Sequence, residues 1–185
     1  MINPVLSVDV DWVTNYNQSM ELFSFLTKKF KTCNKIIFID SHHNIIEHLS
    51  SDEDFIINVD HHHDIRYKHA HHEILHMGNW VEYLIRNNML NHYIWVGNMD
   101  SNVEDEALNP IRGLETFKIN HSLKSINSIN FNKIIICKSF DFITQPQKDI
   151  GLSLVFEILK EISLNIFKEK TIVSNNPNPY KLKQI

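Results

Sequence analysis

No stretch of this 185-residue chain stays apolar for long enough to span a bilayer, and no stripe of lysine and arginine runs along it. With a net charge of -4 and a pI near 6.3, the chain has little electrostatic attraction for nucleic acid or an anionic membrane surface, and neither is expected as a partner. The one compact basic run, "KKFK" from Lys28 to Lys31, reads as the solvated end of a helix. Cysteine is almost missing: Cys33 and Cys137 stand far apart and in no pairing or zinc spacing. That excludes a disulfide framework and leaves two ordinary buried thiols, which suits a reducing compartment. The opening "MINPVLSVDV" has no basic region followed by an apolar one, so a cytoplasmic location is expected. Internal repeats and linkers are also lacking. At 43% hydrophobic, the chain can fill one core but not comfortably two, so residues 1–172 are expected to form a single domain and 173–185 an irregular tail.

What the chain has in excess is histidine, twelve in all, of which seven fall between His61 and His76. Around them, β-branched runs alternate with helical patterns. "PVLSVDV", "KIIFID", "FIINVD", "HYIWVG", "ETFKI" and "KIIICKSF" read as strands. "NQSMELFSFLTKKF" reads as a helix with Met20, Leu22, Phe23, Phe25 and Leu26 on one broad face, and short helices are expected over "NIIEHL" and "NWVEYLIRNNML". The longest helix covers "DIGLSLVFEILKEISLNIFKE", with Leu152, Val155, Phe156, Leu159, Ile162 and Ile166 as its repeating apolar set. The polar stretch "NMDSNVEDEALNPIRG" reads as loop. Strands alternating with helices predict a three-layer α/β fold: a mostly parallel sheet with helices on both faces.

Three of these strands end in carboxylates or imidazoles. "SVDVDW" brings Asp9 and Asp11, "IDSHHN" brings Asp40, His42 and His43, and "NVDHHHDI" brings Asp60, His62 and Asp64. The carboxyl edge of such a sheet is where open α/β folds keep their sites. In an extended strand, residues two apart share a face, so Asp9 with Asp11, and Asp60 with His62, are expected to point together. Carboxylates buried side by side repel each other and are driven to protonate unless a cation offsets the charge. Oxygen-rich ligands with a minority of imidazole favour a moderately hard ion such as manganese, with iron, cobalt or zinc as substitutes. Taken alone, Asp9 and Asp11 read more readily as a strand-end turn or helix cap than as a ligand pair. The histidine triplet, fenced by carboxylates after a buried strand, is the stronger metal signal. His69, His71, His72 and His76 read as solvated loop, with His71 or His76 available to carry protons. Trp12, Trp80 and Trp95 read as core or rim aromatics.

Asp60, His62 and Asp64 stand as in the "D-x-H-x-D" element of the arginase and agmatinase ureohydrolases, and Ser7, Asp9 and Asp11 resemble that family's "S-x-D-x-D" element. "SHHNIIEHL", "NVDHHHDI" and "GNWVEYLI" together resemble small arginase-like proteins that include the peptide arginases, which turn arginine side chains of ribosomal precursor peptides into ornithine. The likeness runs from about Lys35 to Gly97, with the N-terminal strand added. It implies an arginase/deacetylase-like fold, reduced in size and permuted, because ordinary arginases carry "S-x-D-x-D" after the other ligands. "CKSFDFITQP" offers Ser139 and Asp141 in the usual order, but Ile143 occupies the second aspartate's place. The family's glycine pair before its first ligand histidine is missing here, so that ligand is His42 or, next to it, His43.

The resemblance further implies two Mn²⁺ per chain. Asp60 and Asp9 would bridge them, with His42 and Asp64 completing one ligand set and His62 and Asp11 the other. It implies a water activated for attack on a guanidinium carbon, Asp64 as the group that hands a proton to the departing nitrogen, and His76 as a proton shuttle. Asn79 and Asp141 are the candidates for holding the substrate's cationic head. The short chain leaves an open pocket that suits an arginine-carrying peptide. A different ureohydrolase or amidohydrolase on the same scaffold, and a metal-binding module without catalysis, are the other readings, and the oligomeric state is open.

Overall fold

The computed structural model describes residues 4–50, 53, 55–65, 74–101, 114–139, 143–163 and 171–174. Seven strands form one sheet: β1 (Val5–Asp9), β2 (Lys35–Ile39), β3 (Phe55–Val59), β4 (His92–Val96), β5 (Thr116–Asn120), β6 (Lys133–Cys137) and β7 (Thr171–Ser174). Their order across the sheet is β5-β4-β3-β1-β6-β2-β7, and every neighbouring pair is parallel. The expected α/β class is therefore observed. β7, over "TIVS", is an edge strand that the sequence reading did not include.

Alternation along the strands divides the core in two. Leu6, Val8, Ile36, Phe38, Ile57, Val59, Ile94, Val96, Ile134 and Ile136 face one side, where they meet helix α1 (Tyr16–Phe30) and helix α3 (Gln145–Glu161). Val5, Ile37, Ile39, Ile56, Tyr93, Trp95, Ile135 and Cys137 face the other, under helix α2 (Trp80–Arg86). Both faces of the central strands are covered, which is why their sequences are continuously apolar rather than alternating.

The helices depart from expectation in detail. α1 buries Leu22, Phe25, Leu26 and Phe30 but leaves Met20 exposed. α3 buries Leu154, Val155, Ile158 and Ile162, whereas Leu152, Phe156 and Leu159 of the expected stripe face outward. Its sequence is apolar on several sides, so periodicity alone did not select the face; packing against α1 did. Ile166 lies outside the described residues. Within "KKFK", Lys28 and Lys31 are exposed, but Lys29 is buried and its ammonium donates to the carbonyls of Asn127 at 2.6 Å and Ile129 at 2.8 Å. The 3-10 turn His42–His48 replaces the short helix expected over "NIIEHL". No helix among the described residues is long and apolar enough to cross a membrane.

The strand order reverses at β1: the chain leaves it toward β2 on one side and later returns to β3, β4 and β5 on the other. A crevice outside the carboxyl ends of the strands is expected at such a switch point. Asp9 ends β1 there, and Asp60 directly follows β3, its immediate neighbour.

Ile57→Ala, at a fully buried position of β3, is expected to lower unfolding free energy by about 2–5 kcal/mol. Leu152→Ala, on the outward side of α3, should change it by no more than about 0.5 kcal/mol. Urea denaturation midpoints at constant m-value check both, and equal effects would contradict the division of the core described above.

Candidate metal centre

The spacing of two in "DVD" and "DHH" works through a turn rather than through an extended strand. β1 stops at Asp9 and a 3-10 turn begins, so Asp11 is not a strand neighbour of Asp9. Instead Asp9 Oδ1 accepts the Asp11 backbone N–H at 3.0 Å, and Asp60 Oδ1 accepts the His62 backbone N–H at 2.8 Å. Both aspartates thus close the same short side-chain-to-backbone turn. One oxygen of each is used in the turn, while the other, Oδ2, faces the crevice.

There the Oδ2 atoms meet a histidine. Nδ1 of His42 lies 3.1 Å from Asp9 Oδ2, 3.1 Å from Asp60 Oδ2 and 2.9 Å from Asp64 Oδ2. All four residues are buried. A ring nitrogen carries one hydrogen or one lone pair in the ring plane, so it cannot satisfy three carboxylates at once. Nδ1 of His42 in fact makes no geometrically sound hydrogen bond. Three carboxylate oxygens and an imidazole nitrogen around one point are the donor set of a divalent cation. Beside it, Asp11 Oδ2 lies 3.1 Å from His62 Nδ1, and donor atoms of Asp11, Asp60 and His62 fall within 4.8 Å of one another. Asp60 belongs to both donor groups, so the residues present fit a pair of ions sharing that carboxylate.

Neighbouring groups fix these ligands from outside. Ser7 Oγ stands 2.7 Å from His42 Nε2, where it accepts a hydrogen if Nδ1 is to keep its lone pair for a cation. The Trp80 indole N–H donates to Asp64 Oδ2 at 2.6 Å, and the Val81 N–H donates to the Asp64 carbonyl at 3.1 Å. Asp64 itself has φ 53, a left-handed backbone that aspartate tolerates better than most side chains. The Asn58 amide donates to Asp60 Oδ2 at 3.0 Å. Of these residues, Ser7 stood in a quoted motif without a role, Trp80 was read only as an aromatic, and Asn58 was not singled out. Strand alternation could have found Ser7 and Asn58, which share a row one pleat below Asp9 and Asp60.

The electrostatics match a centre built for cations. Burial, then the charges of Asp9 and Asp60, push Asp11 up to about 8. Asp60 is pushed up to about 7, by burial first and then by Asp64 and Asp9. Asp64 is also raised, chiefly by burial. Burial alone would lower His42, but the Cys137 sulfur and the three carboxylates outweigh it and hold His42 well above the usual histidine range. The hydrogen bond to Asp11 lifts His62 to about 10.

The three histidines of the triplet divide by direction. His61 turns toward Asn98 Oδ1 at 3.3 Å, His62 faces Asp11, and His63 is buried edge-on against the Trp95 ring. His42, not His43, reaches the cluster; His43 Nδ1 meets Ser41 Oγ at 2.9 Å. Asn79 closes the turn into α2: its side chain accepts from the His76 N–H at 2.7 Å and donates to the Ile74 carbonyl at 3.0 Å. The exposed His76 lies near enough to His43 to lower that residue's pKa, after burial as the main cause. Asp141 and His71 lie outside the described residues.

Searches against family models, curated proteins and solved structures find no match to this chain.

Trp80→Phe and Ser7→Ala, which remove the outer hydrogen bonds, are each expected to weaken divalent-metal affinity by about 10–100-fold. Isothermal titration with Mn²⁺ checks this, and unchanged affinity in both would separate these groups from the centre. A pH series tests the electrostatics. Raised carboxyl values mean that folded Asp60 and Asp11 hold protons the unfolded chain has released, so stability falls as pH rises from about 4 through about 7 to 8. His62 adds stability that is complete below about 6.5 and is lost as pH rises through about 10. Metal-free protein should therefore show a falling thermal midpoint between about pH 5 and 9, flattened by Mn²⁺. A midpoint rising over that range without metal would contradict the arrangement.

Proposed function

We propose that the chain is a binuclear manganese hydrolase of the arginase-like type, acting on linear amidine C–N bonds and converting arginine side chains of a precursor peptide to ornithine with release of urea. The observation that carries this reading is the convergence of Asp9, Asp11, His42, Asp60, His62 and Asp64 on one crevice from three separate stretches of sequence. Five of these are the residues that the arginase-like motifs single out, and His42 is one of the two candidates for the sixth. Their meeting across β1 and β3, with β1 first in the chain, supports a permuted version of that ligand set.

Two divalent cations held there would supply Lewis acidity, bringing the pKa of a shared water toward neutrality. The chain's own residues supply the rest. Asp60, common to both donor groups, and Asp9 hold the two positions together. Asp64, with one oxygen fixed by the Trp80 indole, carries a proton from the nucleophile to the departing amine nitrogen. His76, which is exposed, is the candidate for exchanging protons with solvent. The Asn79 amide is engaged in its own turn, which turns its polar atoms away from a guanidinium.

The side chain of His62 is 51% exposed, whereas those of Asp9, Asp11, His42, Asp60 and Asp64 are 8% exposed or less. A centre open on one side suits an arginine presented on a peptide. The same reading carries a cytoplasmic location, in keeping with two buried cysteines that form no disulfide with each other.

The test combines metal content with turnover. Purified protein should bind about two Mn²⁺ per chain, and Asp9→Asn and Asp60→Asn should each lose metal and activity together. Arginine-containing precursor peptide, free arginine and agmatine are offered in parallel. Loss of CH2N2 from the peptide alone is the expected result, and turnover of none of the three with metal bound would sink the proposal.

A further inference from the structure

One side chain at the carboxyl edge of the sheet is not used by the centre described above. Parallel pairing sets Cys137, the last residue of β6, opposite Asp9 on one side and Ile39 on the other. Alternation along β6 turns Cys137 to the same face as Ile135, the side covered by α2. The row therefore runs Ile39, Cys137, Asp9, with Asp60, directly after β3, next beyond it. His42, three residues past the end of β2, reaches back over this row. Cys137 Sγ, a carboxylate oxygen of Asp9 and a ring nitrogen of His42 lie within 4.8 Å of one another, and all three residues are buried.

A buried cysteine ordinarily serves as a small hydrophobe. Cys33 does so, with its sulfur 3.6 Å from the Phe30 carbonyl of its own helix end. Cys137 instead has a carboxylate, an imidazole and a hydroxyl as neighbours. Ser139 brings its Oγ to 2.9 Å from Sγ, the position from which a hydroxyl supports a sulfur ligand. Independently, the buried Nδ1 of His42 has no hydrogen-bond partner and lies in the same pocket of donors.

We propose that Cys137 is a ligand to the cation held by Asp9 and His42, and that its sulfur widens the choice of ion in this half of the centre, so that cobalt, zinc or ferrous iron can take the place of manganese. The inference rests on the metal-centre reading above. The Asp11, Asp60 and His62 half has only oxygen and nitrogen donors and keeps the harder ion. Binding is an exchange without redox change. The S–H bond breaks, the sulfur electron pair forms the bond to the ion, and the proton leaves to solvent.

Cobalt(II) titrated into the metal-free full-length chain separates the two levels of the argument. Visible ligand-field bands report cobalt held by any donors; a near-ultraviolet sulfur-to-cobalt charge-transfer band reports ligation by thiolate. The wild-type chain should develop both, Cys33→Ser should keep both, and Cys137→Ser should keep the visible bands but lose the near-ultraviolet one. Cobalt affinity should fall by at least about tenfold in Cys137→Ser. Visible bands without charge transfer in the wild-type chain would overturn the role of Cys137 and leave the metal centre standing. So would a charge-transfer band that persists in Cys137→Ser. Failure to bind cobalt at all would overturn both.

Discussion

Four buried carboxylates in one crevice cannot all stay ionised without positive charge among them, and this constraint organises the centre of the molecule. Asp9, Asp11, Asp60 and Asp64 are packed under helix and sheet with two imidazoles as their nearest counter-groups. Protonated imidazole offsets part of the repulsion. One ring N–H among three carboxylate oxygens is a poor substitute for a divalent ion, which has no directional limit of that kind. The local design follows from the same need. Paired side-chain turns at the ends of two adjacent strands hold one oxygen of each aspartate away from the crevice and present the other to it.

The parallel sheet makes this concentration of charge affordable. Its interior rows are apolar on both faces, so stability is carried by two continuous cores, and the carboxylates and imidazoles of the centre gather at the carboxyl edge. Ser7 and Asn58 mark the boundary: they lie one pleat below the carboxylates and turn their polar groups upward to His42 and Asp60. From the other side, Trp80 belongs to the apolar core through its rings and to the centre through its indole N–H.

Much of this architecture was legible in the sequence, for reasons that can be named. β-branched runs such as "KIIFI" and "KIIIC" have no competing helical pattern, so the strands were clear. Acidic and imidazole residues at strand ends break an otherwise apolar text, which marked Asp9, Asp60 and His62. Helix faces were harder: α3 is apolar on more than one side, and only its contact with α1 decides that Leu154 and Ile158 turn inward while Phe156 turns out. The turn geometry behind the spacing of two was misread as strand alternation, because the chain leaves the sheet one residue earlier than the apolar run suggests. The nearness of Cys137 to Asp9 depends on which strands are neighbours, which is a property of topology and not of local spacing.

The position of β1 has a consequence for biosynthesis. It is the earliest strand of the chain, yet it lies in the middle of the sheet, flanked by β3 on one side and by β6 on the other. A nascent chain halted before Lys133 has no β6 to fill the gap between β1 and β2, so Asp9 and His42 lack the strand that sets their separation. The crevice is therefore completed only once β6 has been made. Until then, its acidic side chains remain in water, where their mutual repulsion is screened.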